Sequence, residues 1–193
     1  DYDVAHQPTL VDFPTKDGVI HGLVQPTKRA ELFILDRVTG TPVYPVVERP
    51  APQTGHVPED VLAPTQPFTT GVPSFRGADL TEADMWGITP LDQLWCRVKF
   101  REARYDGPMT PPGLTPAIQY PGYAGGMEWG GAAIDVSRHI AVVNTNYVPT
   151  YPRIITRDEA NMRNIHRITS ANAELGGFNE GLHGPQEGTP YGI

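Results

Sequence analysis

Apolar positions in this chain come in short bursts separated by turn residues, never in long runs. Val19 to Val24 and Glu31 to Leu35 are rich in β-branched and aliphatic residues and predict two strands, with a turn at Pro26–Arg29. The segment Asp36-Arg-Val-Thr-Gly40 reads as a tight turn in which Gly40 is free to take positive φ. Val43 to Val47 is expected as the returning strand, so that residues 8–47 form one strand-rich block. Between residues 48 and 80 the periodicity disappears and Pro recurs at 50, 52, 58, 64, 67 and 73, which predicts a long irregular excursion.

Helical signals follow. Thr81-Glu-Ala-Asp84 and Thr89-Pro-Leu-Asp92 each place a capping Thr three residues before an acid, and Pro90 occupies a first helical position. Leu91, Leu94, Trp95 and Val98 then recur at helical spacing, which predicts a helix running to about Tyr105 with that apolar face buried. Residues 106–127 return to Pro- and Gly-rich loop. Trp129 to Asp135 and His139 to Thr145 predict a second strand pair joined at Val136-Ser-Arg138, and Arg157–Asn164 a short helix. Two separated strand pairs do not close a domain. Their apolar faces are expected to meet strands outside this chain, or a second copy of it.

Composition sharpens this picture. The 21 Pro and 20 Gly among 193 residues make about a fifth of the chain, against an average of about 12%. That excess argues for loop-rich β structure and against a helical bundle. The formal net charge of −7, with no basic stripe, excludes a nucleic-acid partner held by phosphate neutralisation. No apolar run is long enough to span a bilayer. The opening on Asp-Tyr-Asp shows neither Met nor a charged-then-apolar leader, and is expected of an excised piece of a longer protein.

Metal-ligand spacing is absent: His6, His21, His56, His139, His166 and His183 lie far apart, and the lone Cys96 has no partner. Cys96 falls mid-helix beside Trp95, where a buried inert thiol is expected. The run Gly125-Gly126-Met-Glu-Trp-Gly130-Gly131 precedes a strand, whereas a dinucleotide fingerprint follows one and opens a helix. From these residues alone the chemistry is not legible.

Ordered motifs carry more. The unit Leu32-Phe-Ile-Leu-Asp36-Arg-Val-Thr-Gly40-Thr-Pro-Val-Tyr44 resembles the repeated docking motif of quinoprotein propellers, with Tyr44 where a Trp usually stands. The opening Asp1-Tyr-Asp-Val-Ala-His-Gln-Pro-Thr-Leu10 is similar to the segment that carries the catalytic aspartate in membrane quinoprotein glucose dehydrogenases. Further blocks match in the same order: Lys28 with Leu32-Phe-Ile-Leu-Asp-Arg37, Pro64-Thr-Gln-Pro-Phe68, Ala83-Asp-Met-Trp-Gly87, Asp92-Gln-Leu-Trp-Cys-Arg-Val98, Tyr120-Pro-Gly122, Glu128-Trp-Gly-Gly131 and Gly188-Thr-Pro-Tyr-Gly192. The chain thus resembles the membrane-bound PQQ-dependent glucose/quinate/shikimate dehydrogenases over nearly its whole length.

That resemblance implies a mainly β chain, part of an eight-bladed propeller, carrying a helical, Pro/Gly-rich insertion. Residues 1–47 and 128–146 would be blade strands, 48–127 the insertion, and 147–193 a loop-rich tail. Pyrroloquinoline quinone (PQQ) and a Ca²⁺ or Mg²⁺ ion would be the cofactors. Asp1 matches the general base and would lie close to the metal. Lys28 matches the cation beside the quinone oxygens, Asn144 a position near cofactor and substrate, and Trp129 the Trp of an Asn-Trp pair in related alcohol dehydrogenases. Each residue has a plainer reading: a turn carboxylate, a solvated lysine, a strand-end cap, a core aromatic.

Where the glucose enzymes carry Pro-Gly-Asn-Leu-Gly-Met-Phe, this chain has Pro121-Gly-Tyr-Ala-Gly-Gly-Met127, and its segment after Asn144 differs too. Those departures lean toward quinate or shikimate over glucose, with glycerol- or sorbitol-type polyols as alternatives. The family further implies electron transfer to ubiquinone through a membrane part outside this chain, at the periplasmic face of the inner membrane. The isolated fragment is expected to be inactive and open to self-association. A reading of another class is a non-catalytic propeller scaffold.

Overall fold

The computed structural model describes residues 2–58, 60–162 and 178–180. It divides into two compact units, one of residues 1–51, 63–78 and 120–148, the other of residues 52–62, 79–119 and 149–193.

The first unit holds three small antiparallel sheets. Strands β1 (Thr9–Thr15), β2 (Gly18–Pro26) and β3 (Leu32–Asp36) form a meander in which Val11 faces Gly22 and Val24 faces Ile34. Gly22 is required by packing: a Cβ there would overlap the Phe13 ring lying across the strand. β4 (Val46–Pro50) pairs with β5 (Thr65–Thr69), and β6 (Ala132–Asp135) with β7 (Ile140–Val143).

Alternation along β1 and β2 puts Val11 and Val24 inward, where they join Ala30, Leu32, Met127 and Ala132 in one buried cluster. Burying each of the larger side chains contributes about 1.5–3 kcal/mol. An apolar cavity of about 190 Å³ remains between the meander and β6–β7, lined by Val11, Phe13, Val24, Leu32, Ile34 and Ile134 among others.

The excursion expected at 48–80 is more regular than its sequence suggests, because β4 and β5 pair across it. The strand expected at Val43–Val47 begins later, at Val46, and does not extend β3. Pro42 and Pro45 have no N–H to give a ladder. What remains of that hairpin is a bridge between Leu35 and Pro42, with bonds from the Val43 amide to the Ile34 carbonyl and from the Asp36 amide to the Thr41 carbonyl, both 2.8 Å. The Asp36–Gly40 turn forms as expected: the Asp36 carboxylate accepts from the Val38 amide at 2.8 Å, and Gly40 sits at φ +75°.

In the second unit both Thr–Asp capping boxes close. Thr81 and Asp84 open a single 3₁₀ turn, Glu82–Asp84, while Thr89 and Asp92 open α1, Pro90–Glu102. α1 ends at Ala103 with extended φ/ψ, short of the Tyr105 expected. Its apolar stripe is not buried among the described residues: Leu91 is 78% exposed and Leu94 57%, with only Trp95 half-buried. Helical spacing sets which residues share a face but cannot supply a surface to cover it. Cys96 is half-buried and its thiol is pushed up by burial and by Asp92, in keeping with an inert role. β8 (Arg153–Ile155) pairs with β9 (Phe178–Glu180), and α2 spans Arg157–Met162. Among the described residues no helix is long and apolar enough to cross a membrane.

Candidate cofactor site

Lys28 projects from the β2–β3 turn, and that turn is unusually well held. The Thr27 hydroxyl donates to the Glu31 carbonyl at 3.0 Å, and Ala30, fully buried, takes φ 61° to close the loop. Arg29 and Glu31 form a buried ion pair at 2.8 Å, with side chains 11% and 7% exposed. The Arg29 guanidinium also donates to the Pro67 carbonyl at 2.7 Å and lies 4.4 Å from the Phe68 ring centroid. Burial lowers the Arg29 pKa and raises that of Glu31, each partner opposing the other's shift. The pair and the bond to Pro67 anchor the turn that carries Lys28.

A second element, distant in sequence, meets Lys28. The loop 122–131 folds back on itself, with the Gly125 amide donating to the Gly122 carbonyl (2.8 Å) and the Gly131 amide to that of Glu128 (3.2 Å). The Gly126 amide donates to the Lys28 carbonyl at 2.7 Å, and Asn146 ties the loop down through Nδ2 to the Gly125 carbonyl (2.5 Å) and its amide to the Gly126 carbonyl (2.8 Å). Gly125 sits at φ +80°, and a Cβ there would lie 2.8 Å from both Glu128 Oε1 and Lys28 Cγ. Glycine is therefore demanded twice, by conformation and by space.

The result is a cation between two acids. Lys28 Nζ lies 2.8 Å from Asp3 Oδ1 and 3.9 Å from Glu128 Oε1, with the lysine side chain 14% exposed. The hydrogen bond from Lys28 holds the Asp3 carboxyl below its usual range. Beside them His6 is 5% exposed, and neither ring nitrogen completes a hydrogen bond within the described residues. Burial depresses its pKa, against the opposing pull of Glu128 and of the Met127 carbonyl. Tyr2 fastens the same N-terminal segment, its hydroxyl donating to the Pro121 carbonyl at 2.5 Å.

Of the residues singled out from sequence, Lys28 is central to this cluster and Asp1 lies outside the described residues. Asn144 is exposed, directly after β7, and Trp129 is 83% exposed beside Glu128, so Trp129 is not a core aromatic. Asp3 and Asn146 were not singled out; His6 was read only as one of six scattered histidines, and Glu128 only as the Glu standing for Asn beside Trp129. The second acid of Asp1-Tyr-Asp3 and the doubled glycine before Glu128 were the available signals.

A PQQ-type cofactor is an anionic quinone, and a shielded cation at the rim of a bare glycine loop fits one polar edge of it. For a metal ion, no group of three or more His, Cys, Asp or Glu side chains able to hold one occurs among the described residues. Lys28 does not line the 190 Å³ cavity, whose walls are almost wholly apolar.

Comparison with known proteins gives the family. Residues 1–193 match the family described as "PQQ: Glucose/ethanol/alcohol dehydrogenase, beta-propeller domain". The chain is 47% identical over its whole length to the glycerol dehydrogenase large subunit of Gluconobacter oxydans, covering 26% of that protein. It is 38% identical to the quinate/shikimate dehydrogenase (quinone) of Acinetobacter baylyi and 39% to the quinoprotein glucose dehydrogenase of Escherichia coli, over all of this chain and 23% of each. It thus spans about a quarter of the length of these relatives. The quinate lean is not specifically favoured over glycerol or glucose. No solved structure gives a significant match. The small antiparallel sheets fit part of a propeller, and the chain belongs to the PQQ-dependent glucose/ethanol/alcohol dehydrogenase β-propeller family.

Proposed function

We propose that the full-length protein is a quinoprotein dehydrogenase that oxidises a hydroxyl of a polyol or sugar, and that Lys28 is its cofactor-binding cation. The observation that carries this reading is the Lys28 ammonium, 14% exposed and 2.8 Å from Asp3, on a turn locked by a buried ion pair. PQQ, when bound, supplies a two-electron acceptor for alcohol oxidation. Lys28 then presents positive charge where a quinone oxygen gains negative charge. Asp1, two residues before the acid that binds Lys28, is the base that accepts the hydroxyl proton; Tyr2 and Asp3, each fastened to the first unit, hold its segment. Asn144 and Trp129 contact the cofactor or substrate from the β6–β7 side. Asp1 would be one ligand of a Ca²⁺ or Mg²⁺ ion, which would supply Lewis-acid polarisation, the remaining ligands coming from outside the described residues.

For the substrate, the 47% identity to a glycerol dehydrogenase large subunit, against 38–39% for the quinate/shikimate and glucose relatives, supports an open-chain polyol. The electrons pass to ubiquinone, at the periplasmic face of the inner membrane. The 193-residue piece alone is inactive, because most of the ring belongs to the rest of the protein.

The test is a substrate panel on the full-length protein loaded with PQQ and Ca²⁺ or Mg²⁺, with glycerol, sorbitol, quinate, shikimate and glucose as donors and a dye as acceptor. Dye reduction with a polyol, lowered on the order of a hundredfold in Lys28→Ala, is expected. Silence across the panel with no PQQ bound favours a non-catalytic propeller scaffold.

A further inference from the structure

We infer that Glu128 is a positioning residue for Lys28, a fixed counter-charge that keeps the ammonium aimed while it engages the cofactor. This rests on the proposed role of Lys28. The two carboxylates around Lys28 are differently placed. Asp3 is the nearer, at 2.8 Å, but its side chain is 59% exposed, so water can take over from Lys28 when the ammonium turns to another anion. Glu128 is 33% exposed and its oxygen stands 3.9 Å from Nζ, near enough for charge and too far for a committed hydrogen bond.

Its position is set by backbone. The Gly126 amide binds the Lys28 carbonyl, the Gly131 amide binds the Glu128 carbonyl, and Asn146 holds the carbonyls of Gly125 and Gly126. The loop that carries Glu128 is therefore hydrogen-bonded to the turn that carries Lys28. Gly125 leaves room for the two side chains to lie side by side, since a Cβ there would touch both. His6 is 5% exposed and close enough to feel the Glu128 charge, but burial disfavours its protonated form, and Glu128 forms its ion pair with Lys28. An acid so placed acts through the lysine, not on the substrate.

The experiment is equilibrium titration of the full-length apo-protein with PQQ, followed by absorbance, for wild type, Glu128→Gln, Glu128→Asp, Lys28→Gln and Glu128→Gln/Lys28→Gln. Glu128→Gln is expected to weaken PQQ about fivefold when Lys28 is present and less than twofold when Lys28 is already Gln. Glu128→Asp, which keeps the charge, recovers more than half of the loss. Equal effects of Glu128→Gln in both backgrounds, or wild-type affinity in Glu128→Gln, would overturn the inference. Should Glu128→Gln not fold, Glu128→Asp in the two Lys28 backgrounds decides by the same coupling. Failure of wild type itself to bind PQQ would count against the proposed function, a distinct result from lost coupling.

Discussion

The Gly126 amide donates to the Lys28 carbonyl at 2.7 Å, joining two residues 98 positions apart through backbone alone. This bond makes the glycine loop and the lysine turn one structural piece. A side chain at Gly126 would break it, because a Cβ there overlaps the fully buried Ala30 and lies 3.0 Å from Pro121. Gly126→Ala is therefore expected to cost about 1–3 kcal/mol, the usual penalty of overpacking. Denaturant unfolding of the full-length domain checks the energy, and a PQQ titration checks that affinity falls with it. Unchanged stability would show that the loop can move away from the turn freely.

The buried pair beneath Lys28 makes a sharper test of what anchors the turn. Arg29→Met leaves Glu31 charged and 7% exposed without its partner, so destabilisation of about 3–5 kcal/mol is expected. Replacing both residues with apolar ones of similar size should recover most of that loss, because two desolvation costs vanish with the attraction. Urea midpoints for Arg29→Met, Glu31→Leu and the double variant measure it. If the double variant is as unstable as the single ones, the turn depends on the bond from Arg29 to the Pro67 carbonyl more than on the ion pair.

Asp36 tests the turn motif that pointed to the family. Its carboxylate accepts from the Val38 amide at 2.8 Å, and Asp36→Ala leaves that donor to water. Because the turn is exposed, the loss should be about 1 kcal/mol, readable as a lower midpoint with an unchanged denaturant slope.

How much of this was legible beforehand depended on range. Thr89, Pro90 and Asp92 determine the start of α1 among themselves, and Asp36 to Gly40 shape their own turn, so local chemistry predicted both. The pairing of β4 with β5 was hidden because Pro67 lies inside β5, and a proline usually argues against a strand. Lys28 was found through an ordered series of motifs, not through its own surroundings. Its partnership with Glu128 spans 100 positions, and only the folded loop brings the two within 3.9 Å. Exposure of Leu91 and Leu94 was equally out of reach, since a stripe in sequence says nothing of what lies opposite it.

His6 gives the last prediction, and its sign follows from burial. The folded protein holds the imidazole below its ordinary value of 6.5, chiefly because the ring is desolvated. Above pH 6.5 the ring is neutral whether the chain is folded or not, and the burial carries no proton penalty. As the pH falls through 6.5 the unfolded chain takes up the proton first, so stability drops until the folded pKa is also passed. Thermal unfolding of the full-length domain between pH 7.5 and pH 5, about a unit or more either side of a histidine's pKa, should therefore show a fall that His6→Gln flattens. Glu128 works against that fall by favouring the protonated ring, so Glu128→Gln should steepen it. A wild-type curve already flat across this range would place His6 in a wetter, better-paired setting than its 5% exposure implies.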